Sequence, residues 1–306
     1  MLTPDKLILI DRLEQRQQLG FIAESGVRKA VAVLNQDLKV NKNDTPILSK
    51  SLRYNNPNQF ENVFLGNGSY EISYQEGSFE KMYGVLDEER KLNINKVDKT
   101  ALKNLIEVAA GKQSEEAQKL ADALIDWREY GESQIKGFYS DSYYDNLEFP
   151  YPKKSTDYEV IDELLLVEGM TQELFEKLSP YLTVYTSGKV NVNTVSAEVL
   201  HALGLADALV TKILSARRGP DGREATADDY ICQDLSSWQA ELARISPLEN
   251  EEIEQIQQLI SDGKLTTESH FFQIRSIAKL KGKQDEQTVI CVFHADAGEM
   301  LSWQEI

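Results

Sequence analysis

The sequence has no long hydrophobic run, few cysteines and an excess of negative charge. No stretch approaches the ~20 apolar residues of a membrane helix, and residues 7–10 form only a short apolar run. Two cysteines are too few for a disulfide scaffold or a zinc cluster. Lys and Arg total 33 against 50 Asp and Glu, so the net charge is -17. This balance argues against a nucleic-acid ligand, which requires concentrated positive charge.

The two cysteines, Cys232 and Cys291, leave two interpretations open. One is a single bridge between them in an oxidising compartment. The other is a pair of unpaired buried thiols, and this is favoured because free cysteine is among the most buried residue types.

One motif occurs twice. Residues 92–105 read LNINKVDKTALKNL, and residues 190–203, 98 positions later, read VNVNTVSAEVLHAL. Both segments fit one pattern: aliphatic-Asn-aliphatic-Asn-x-Val, followed by four further residues and then by Leu-x-x-Leu. Such internal similarity indicates a duplicated supersecondary unit.

The asparagines of the motif precede a predicted helix in both copies. In an extended segment both Asn side chains face one way and the flanking aliphatic side chains face the core. The second Asn is placed to cap the following helix. We favour this structural capping over a ligand role, because asparagine prefers caps and turns.

The periodicity along the chain predicts an α+β protein. Apolar residues at helical spacing predict a long first helix over residues 11–39, and Tyr70, Ile72 and Tyr74 alternate as in a strand. A helical block follows, and the chain ends in three predicted antiparallel strands. We therefore predict a discontinuous α+β domain, residues 1–90 and 263–306, with an all-α domain of residues 91–262 inserted into it.

Residues 164–178 (LLLVEGMTQELFEKL) are similar to a helix-hairpin-helix turn. DNA-binding versions of this turn contact a phosphate through backbone N–H groups. Glu168 directly precedes the glycine here, and further acidic residues surround it. Helix packing is therefore favoured, and a helix-hairpin-helix nucleic-acid-binding protein is the alternative function.

Two acidic groups are candidate calcium ligands, since hard oxygen ligands on loops suit Ca²⁺. The first brackets a Gly-containing loop, and the second surrounds an aromatic loop at residues 131–154. The first is not an EF-hand, because its twelfth position is Cys232 rather than Glu. Solvated surface charge is the equal alternative for both. The candidate ligands are Asp221, Asp228 and Asp229, and Asp126, Asp141 and Asp145.

The sequence contains few residue patterns typical of a catalytic site. The three histidines are far apart in sequence, and no HExxH, GxSxG, Walker loop or GxGxxG occurs. Cys291 and His294 have the residue types of a nucleophile and base, but both lie in a predicted core strand. Packing is favoured for them, and no enzyme is predicted.

The order of these segments resembles one family, the minor pseudopilin K of bacterial type II secretion systems. The similar segments span most of the chain and include ALIDWR at 123–128, the aromatic loop at 143–151, DELLLVEGM at 162–170, KVNVNTVSAEVL at 189–200 and the strands of 271–303.

The resemblance implies a pilin-like domain, formed by the long first helix and an antiparallel sheet, that carries a large inserted all-α domain with helix-hairpin-helix-like repeats. It also implies a structural tip subunit of the pseudopilus that assembles with minor pseudopilins of the I and J types. The implied location is the bacterial inner membrane with a periplasmic soluble domain, with the membrane anchor expected upstream of this chain.

Two further expectations follow from the resemblance. Some members bind calcium in the α-domain, which supports the acidic loops as ligands. The first helix is expected to bind the partner helices through the apolar positions Ala23, Val27, Ala30, Val31 and Leu34.

Overall fold

A computed structural model describes residues 4–40, 54–75, 81–129 and 141–306, apart from residues 225 and 227. The chain divides into two compact units. Unit 1 comprises Met1–Asp87, Arg218–Asp229 and His270–Ile306, and unit 2 comprises Glu88–Arg217 and Tyr230–Ser269. The predicted domain boundaries, after residues 90 and 262, lie three and seven residues from two of these divisions, after Asp87 and Ser269. Assigning residues 91–262 to an inserted domain stays a prediction.

Unit 1 begins with helix α1, Pro4–Val40. Its apolar side chains at three- and four-residue spacing face the sheet of the unit, and they form a core with β-strand residues. Gly26 lies where the helix is close to the sheet. A Cβ atom there would clash with the Ser276 hydroxyl and lie 2.9 Å from the Tyr70 ring. A larger residue at this position would push the helix off the sheet.

The sheet of unit 1 is antiparallel, with strand order β1-β2-β8-β9-β10 and with β3 also paired to β8. The predicted C-terminal meander of three strands is confirmed by β8, β9 and β10. A short helix, α2 (Pro57–Phe60), precedes β1. The strands are β1 Val63–Leu65, β2 Gly68–Ile72, β3 Leu86–Asp87, β8 Phe271–Leu280, β9 Glu286–His294 and β10 Glu299–Glu305.

Unit 2 is mostly helical and encloses a single large apolar core. Two of its helices are absent from the sequence prediction: α9, and the short α5 inside the predicted aromatic loop. The helices are α3 Lys99–Ala110, α4 Ser114–Arg128, α5 Asp141–Asp145, α6 Gln172–Leu178, α7 Ala197–Ala202, α8 Asp207–Arg217, α9 Leu235–Ile245 and α10 Asn250–Ser261. Short 3₁₀ turns cover Glu88–Arg90, Ile161–Leu166 and Ser179–Tyr181.

Two short parallel strand pairs also occur in unit 2, so its described part is not purely helical. Strand β4 (Leu92–Asn93) pairs with β5 (Leu182–Thr183), and β6 (Val190–Asn191) pairs with β7 (Leu265–Thr266). Each pair starts at one copy of the duplicated motif. We call residues 92–186 the first repeat, and residues 190–217 together with 230–269 the second repeat.

Candidate functional site

The apolar positions predicted to bind partner helices face the protein's own sheet. Ala23, Val27, Ala30 and Leu34 are buried in the core of unit 1, and Val31 packs against that core. Side chains buried in this way are unavailable to another molecule. A partner that binds α1 therefore has to contact its other surfaces, and the binding role of the helix stays a prediction.

The opposite surface and the first turns of α1 carry exposed apolar residues. Leu13 is 56% exposed and Phe21 is 67% exposed. Ile8, Leu9 and Ile10 follow one another along the helix and are also exposed, so they point in different directions around its axis. Sequence reasoning assigned them no role, although the short apolar run at residues 7–10 was the available signal.

Hydrogen bonds link the three aspartates of the acidic loop after α8, but the Asp221 contact is made by its backbone. The Thr226 hydroxyl lies 2.7 Å from an Oδ1 of Asp228 and 3.0 Å from one of Asp229. The other oxygen of Asp228 accepts a hydrogen bond from the Asp221 backbone N–H at 3.1 Å. Hydrogen bonds from Thr226 and from the Asp221 backbone hold the pKa of Asp228 below its usual range. The loop itself thus holds the Asp228 carboxylate through these hydrogen bonds.

The second acidic group is not assembled as a site. Asp126 is buried and pairs with Lys153 at 3.1 Å. Asp145 is exposed on α5, and the side chain of Asp141 lies outside the described residues. In the described part of the chain, no group of three or more His, Cys, Asp or Glu side chains has the arrangement of a metal site. Calcium binding stays a prediction at both places.

The duplicated asparagines form matching backbone contacts in the first repeat. The Asn95 side chain donates to the Tyr158 carbonyl at 2.9 Å and accepts from the Tyr158 N–H at 2.8 Å. Asn93 accepts from the Asn95 N–H at 2.8 Å and donates to the Thr186 carbonyl at 2.5 Å. We call this arrangement the asparagine clamp.

The second repeat builds the same clamp. Asn193 donates to the Cys232 carbonyl at 2.9 Å and accepts from the Cys232 N–H at 2.8 Å. Asn191 accepts from the Asn193 N–H at 2.9 Å and donates to the Ser269 hydroxyl at 2.7 Å. In both repeats the second Asn satisfies both polar groups of one distant backbone residue. A structural role rather than a ligand role follows for both clamps.

The predicted helix-capping role of the second Asn is wrong. The residue that caps α3 is Asp98, whose side chain accepts from the Ala101 N–H at 2.9 Å, and Ser196 caps α7 through the Val199 N–H at 3.4 Å. Both caps lie three positions beyond the second Asn of their motif. The asparagine side chains turn away from the helix because they hold the distant backbone instead.

Known proteins similar to this chain come from one secretion system. The family model described as type II secretion system protein K matches residues 85–187. Protein K of Aeromonas hydrophila is 31% identical over 123 residues, which is 37% of this chain and 37% of that protein. Protein K of Dickeya chrysanthemi is 32% identical over 105 residues, which is 33% of this chain and 28% of that protein.

Residues 85–187 match the protein K family. The family resemblance found in the sequence is thereby confirmed. The alignments span only about a third of the length of these curated relatives. A solved structure, the GspK-GspI-GspJ complex of enterotoxigenic Escherichia coli, contains a chain with the same fold: the TM-score is 0.68 at 18% identity, over 97% of this chain and 99% of that one.

The protein K match contains the first repeat with an aromatic cluster beside its clamp. Trp127 is 3% exposed, and its ring contacts Tyr144 and Tyr151 edge-on, with centroids 5.4 Å and 6.3 Å apart. Tyr158, whose backbone Asn95 holds, donates its hydroxyl to the Leu124 carbonyl at 2.8 Å. The clamp and the cluster thus fix the same stretch of chain from two sides.

The helix-hairpin-helix-like turn also lies inside the protein K match. Gly169 has a left-handed φ of 81°, which permits the tight turn before α6. Burial and the nearby Asp126 raise the pKa of Glu168, which immediately precedes it. A carboxylate at this position repels a phosphate, so the turn packs helices and lacks the charge of a DNA-binding hairpin.

Cys291 and His294 do not form a catalytic pair. Burial raises the pKa of the Cys291 thiol to about 12, so the thiol stays protonated at neutral pH. His294 stacks on Phe271 with ring centroids 4.3 Å apart. Cys291 and Cys232 are both buried and are not joined by a disulfide, as the favoured interpretation predicted.

Proposed function

We propose that this chain is the tip subunit of a type II secretion pseudopilus, a minor pseudopilin K that assembles with minor pseudopilins of the I and J types to initiate or cap the fibre during protein export. Its role is structural, and no catalysis is assigned. The observation that carries the proposal is the fold match over 97% of the chain to the GspK-GspI-GspJ complex, together with the protein K match at residues 85–187.

The shape of unit 1 supports a pilin-like role. Helix α1 has 37 residues and is therefore about 55 Å long at 1.5 Å per residue. Its described side chains from Lys6 to Gln18 are almost all exposed, whereas Leu19 and later apolar residues reach the core. The first turns thus extend beyond the sheet that covers the rest. Exposed Ile8, Leu9 and Leu13 fit a helix that packs against helices of partner subunits.

The proposed architecture is a pilin-like domain, residues 1–90 and 263–306, that carries residues 91–262 as an inserted domain with two helical repeats. The presence of two compact units in the chain supports this proposed architecture. In the proposed assembly, the insert blocks further subunits from stacking above the tip.

The proposed location is the inner membrane, with this chain on the periplasmic side. In the described part of the chain, no helix has the length and apolarity to span a bilayer.

The proposed cofactor is calcium at the loop of Asp221, Asp228 and Asp229. Carboxylate oxygens on a Gly-containing loop support this, because Ca²⁺ takes oxygen ligands from flexible loops. A ligand that binds only the folded state raises its stability. Adding millimolar Ca²⁺ to chelator-treated protein should raise the Tm, because a hundredfold excess over Kd adds about 2–3 kcal/mol to the free energy of unfolding. The Asp228→Asn variant should lose this rise in Tm.

Assembly is tested by mixing the full chain with cognate pseudopilins I and J and measuring co-elution by size-exclusion chromatography with light scattering. The proposal expects one complex that contains all three proteins. The variants Leu13→Glu and Phe21→Glu should weaken it, whereas Glu115→Lys on exposed α4 should not. Separate elution of all three cognate proteins at micromolar concentration would reject the proposal.

A further inference from the structure

The C-terminal strand β10 forms one edge of the sheet in unit 1 and presents apolar side chains to solvent. It pairs with β9 on one side, and no described strand pairs with its other side. The outward backbone N–H and C=O groups of such an edge are a template for another strand. The exposed apolar residues are Met300, Leu301, Trp303 and Ile306, with exposures of 41%, 40%, 43% and 69%.

Two of these side chains continue the core face of the sheet. Met300 is paired with Phe293 and Trp303 with Cys291, and both partners belong to the core of unit 1. Paired residues on adjacent strands project to the same face. Helix α1 packs over β2, β8 and β9. The apolar core face therefore extends onto β10, where Met300 and Trp303 remain exposed.

The edge carries little of the protection usual for exposed strands. Natural edges are protected by lysine, proline, bulges or covering segments. Residues 299–306 read EMLSWQEI and contain no lysine, arginine or proline. The protection consists of a bulge at Leu301, where the pairing shifts between Met300 and Ser302, and of the two glutamates at the ends.

We propose that β10 binds an extended segment of another protein by β-strand addition, and that this segment has an apolar middle with basic residues at both ends. Strand addition is a common mode of peptide recognition, in which main-chain hydrogen bonds are combined with side-chain contacts. Apolar residues of the segment pack on Met300 and Trp303. Its basic residues pair with Glu299 and Glu305.

The charges on β10 favour this occupant over a second copy of the chain. In an antiparallel pair of two β10 strands centred on Ser302, Glu299 of one copy would oppose Glu305 of the other. Like charges in directly opposed positions destabilise a strand pair. The Glu305 carboxylate is fixed at the surface by Trp303 Nε1 at 3.2 Å and Gln287 Nε2 at 3.1 Å. The net charge of -17 also opposes self-association.

The exposed indole of Trp303 gives a direct readout. Trp127 and Trp238 are buried, so acrylamide quenching of tryptophan fluorescence in the full chain reports mainly on Trp303. The probes are two synthetic eight-residue peptides with a middle of alternating threonine and valine, one with two lysines at each end and the other with two glutamates at each end. The lysine peptide should protect Trp303 at concentrations about tenfold lower than the glutamate peptide (tenfold is 1.4 kcal/mol). Added salt should reduce the difference.

Charge reversal provides the control. The double variant Glu299→Lys/Glu305→Lys should reverse the peptide preference, whereas Glu115→Lys/Glu173→Lys, at two exposed positions of unit 2, should leave it unchanged. Equal protection by both peptides, or none, would overturn the proposal. Protection of Trp303 that rises with protein concentration alone, with dimers in sedimentation, would assign the edge to a second copy instead. No other secretion protein enters this assay, so its outcome is independent of the proposed pseudopilus role.

Discussion

The two repeats of unit 2 use the same clamp in different surroundings. In both, an arginine near the end of a helix donates to the carbonyl of the motif valine: Arg128 to Val97 at 3.0 Å and Arg217 to Val195 at 2.6 Å. The residue before that arginine differs. It is the buried Trp127 in the first repeat and the buried Ala216 in the second.

This difference shows which part of the repeated unit its motif specifies. The second asparagine and the arginine of each repeat fix backbone positions, and those contacts are the same in both repeats. The space beside these side chains is filled by different residues in the two repeats, and in the first repeat these residues are aromatic. The first repeat is also the one inside the protein K match. We infer that the clamp maintains the repeat fold and that the aromatic cluster distinguishes the first repeat.

Removing the tryptophan should produce the largest difference between the repeats. Trp127→Ala deletes a ring that is 3% exposed and contacts two tyrosines. Large-to-small changes of this kind cost about 3–5 kcal/mol. Urea unfolding should show this loss, and Trp127→Phe should restore most of it. A loss below about 1 kcal/mol would mean that the cluster contributes little to unit 2.

Breaking the clamps should affect both repeats alike. Asn95→Ala and Asn193→Ala each leave one backbone N–H and one carbonyl without their partner, at Tyr158 and Cys232. Each should cost about 2–4 kcal/mol, since an unsatisfied buried polar group costs 1–3 kcal/mol. Asn104→Ala is the matched control, because it removes one hydrogen bond of 3.3 Å to the Ala202 carbonyl. Unequal losses at the two clamps would contradict their equivalence.

Removing the helix caps should give smaller effects. Asp98→Ala and Ser196→Ala should each cost about 1 kcal/mol. Asp98 also pairs with Lys264 at 2.6 Å, but both side chains are partly exposed, so this pair adds only a few tenths of a kcal/mol. Thermal unfolding measures the loss of stability in each cap variant. The two cap variants should differ from each other by less than either differs from the wild type.

Lowering the pH should distinguish the two cap variants. Desolvation raises the pKa of Asp98, but hydrogen bonds from Lys264 and the Ala101 N–H outweigh it, so the net pKa is lowered. A lowered folded-state pKa gives stability that is present above the ordinary value of about 3.9 and is lost as pH falls through the folded value. The difference in free energy of unfolding between wild type and Asp98→Ala should therefore close below about pH 4. The corresponding difference for Ser196→Ala should persist.

Neutralising Glu168 should have the smallest effect. Burial and Asp126 raise its pKa, so ionisation at neutral pH opposes folding. Glu168→Gln should stabilise the protein by a few tenths of a kcal/mol at pH 7. The gain should shrink as pH falls through the raised folded-state pKa, because wild-type Glu168 then becomes neutral as well. Destabilisation at pH 7 would show that the charge has a favourable partner.

The sequence predicted the mixed fold well where periodicity was strong. The long first helix and the three final strands follow from regular apolar spacing, and both were found. The parallel pairs β4–β5 and β6–β7 were missed, because two-residue strands have no period to detect. Helix α9 was missed although Asp234 caps it by accepting from the Ser236 N–H at 2.9 Å.

The duplicated motif was recognised in the sequence, but its contacts were not. Local rules suggested capping by Asn95 and Asn193, since they consider only the residues that follow. The actual partners, Tyr158 and Cys232, lie 63 and 39 residues further along the chain, and only the folded structure brings them together. In the same way, helical spacing identified the apolar side of α1 but could not separate the core-facing residues from those left for a partner.

Hydrogen–deuterium exchange of the full chain, with and without cognate pseudopilins I and J, tests the tip assignment most directly. The first turns of α1, residues 6–18, are not covered by the protein's own sheet and should exchange quickly in the free chain. Binding of I and J should slow exchange there, with little change at the two clamps. Unchanged exchange over residues 6–18 at saturating concentrations of both partners would contradict the tip assignment.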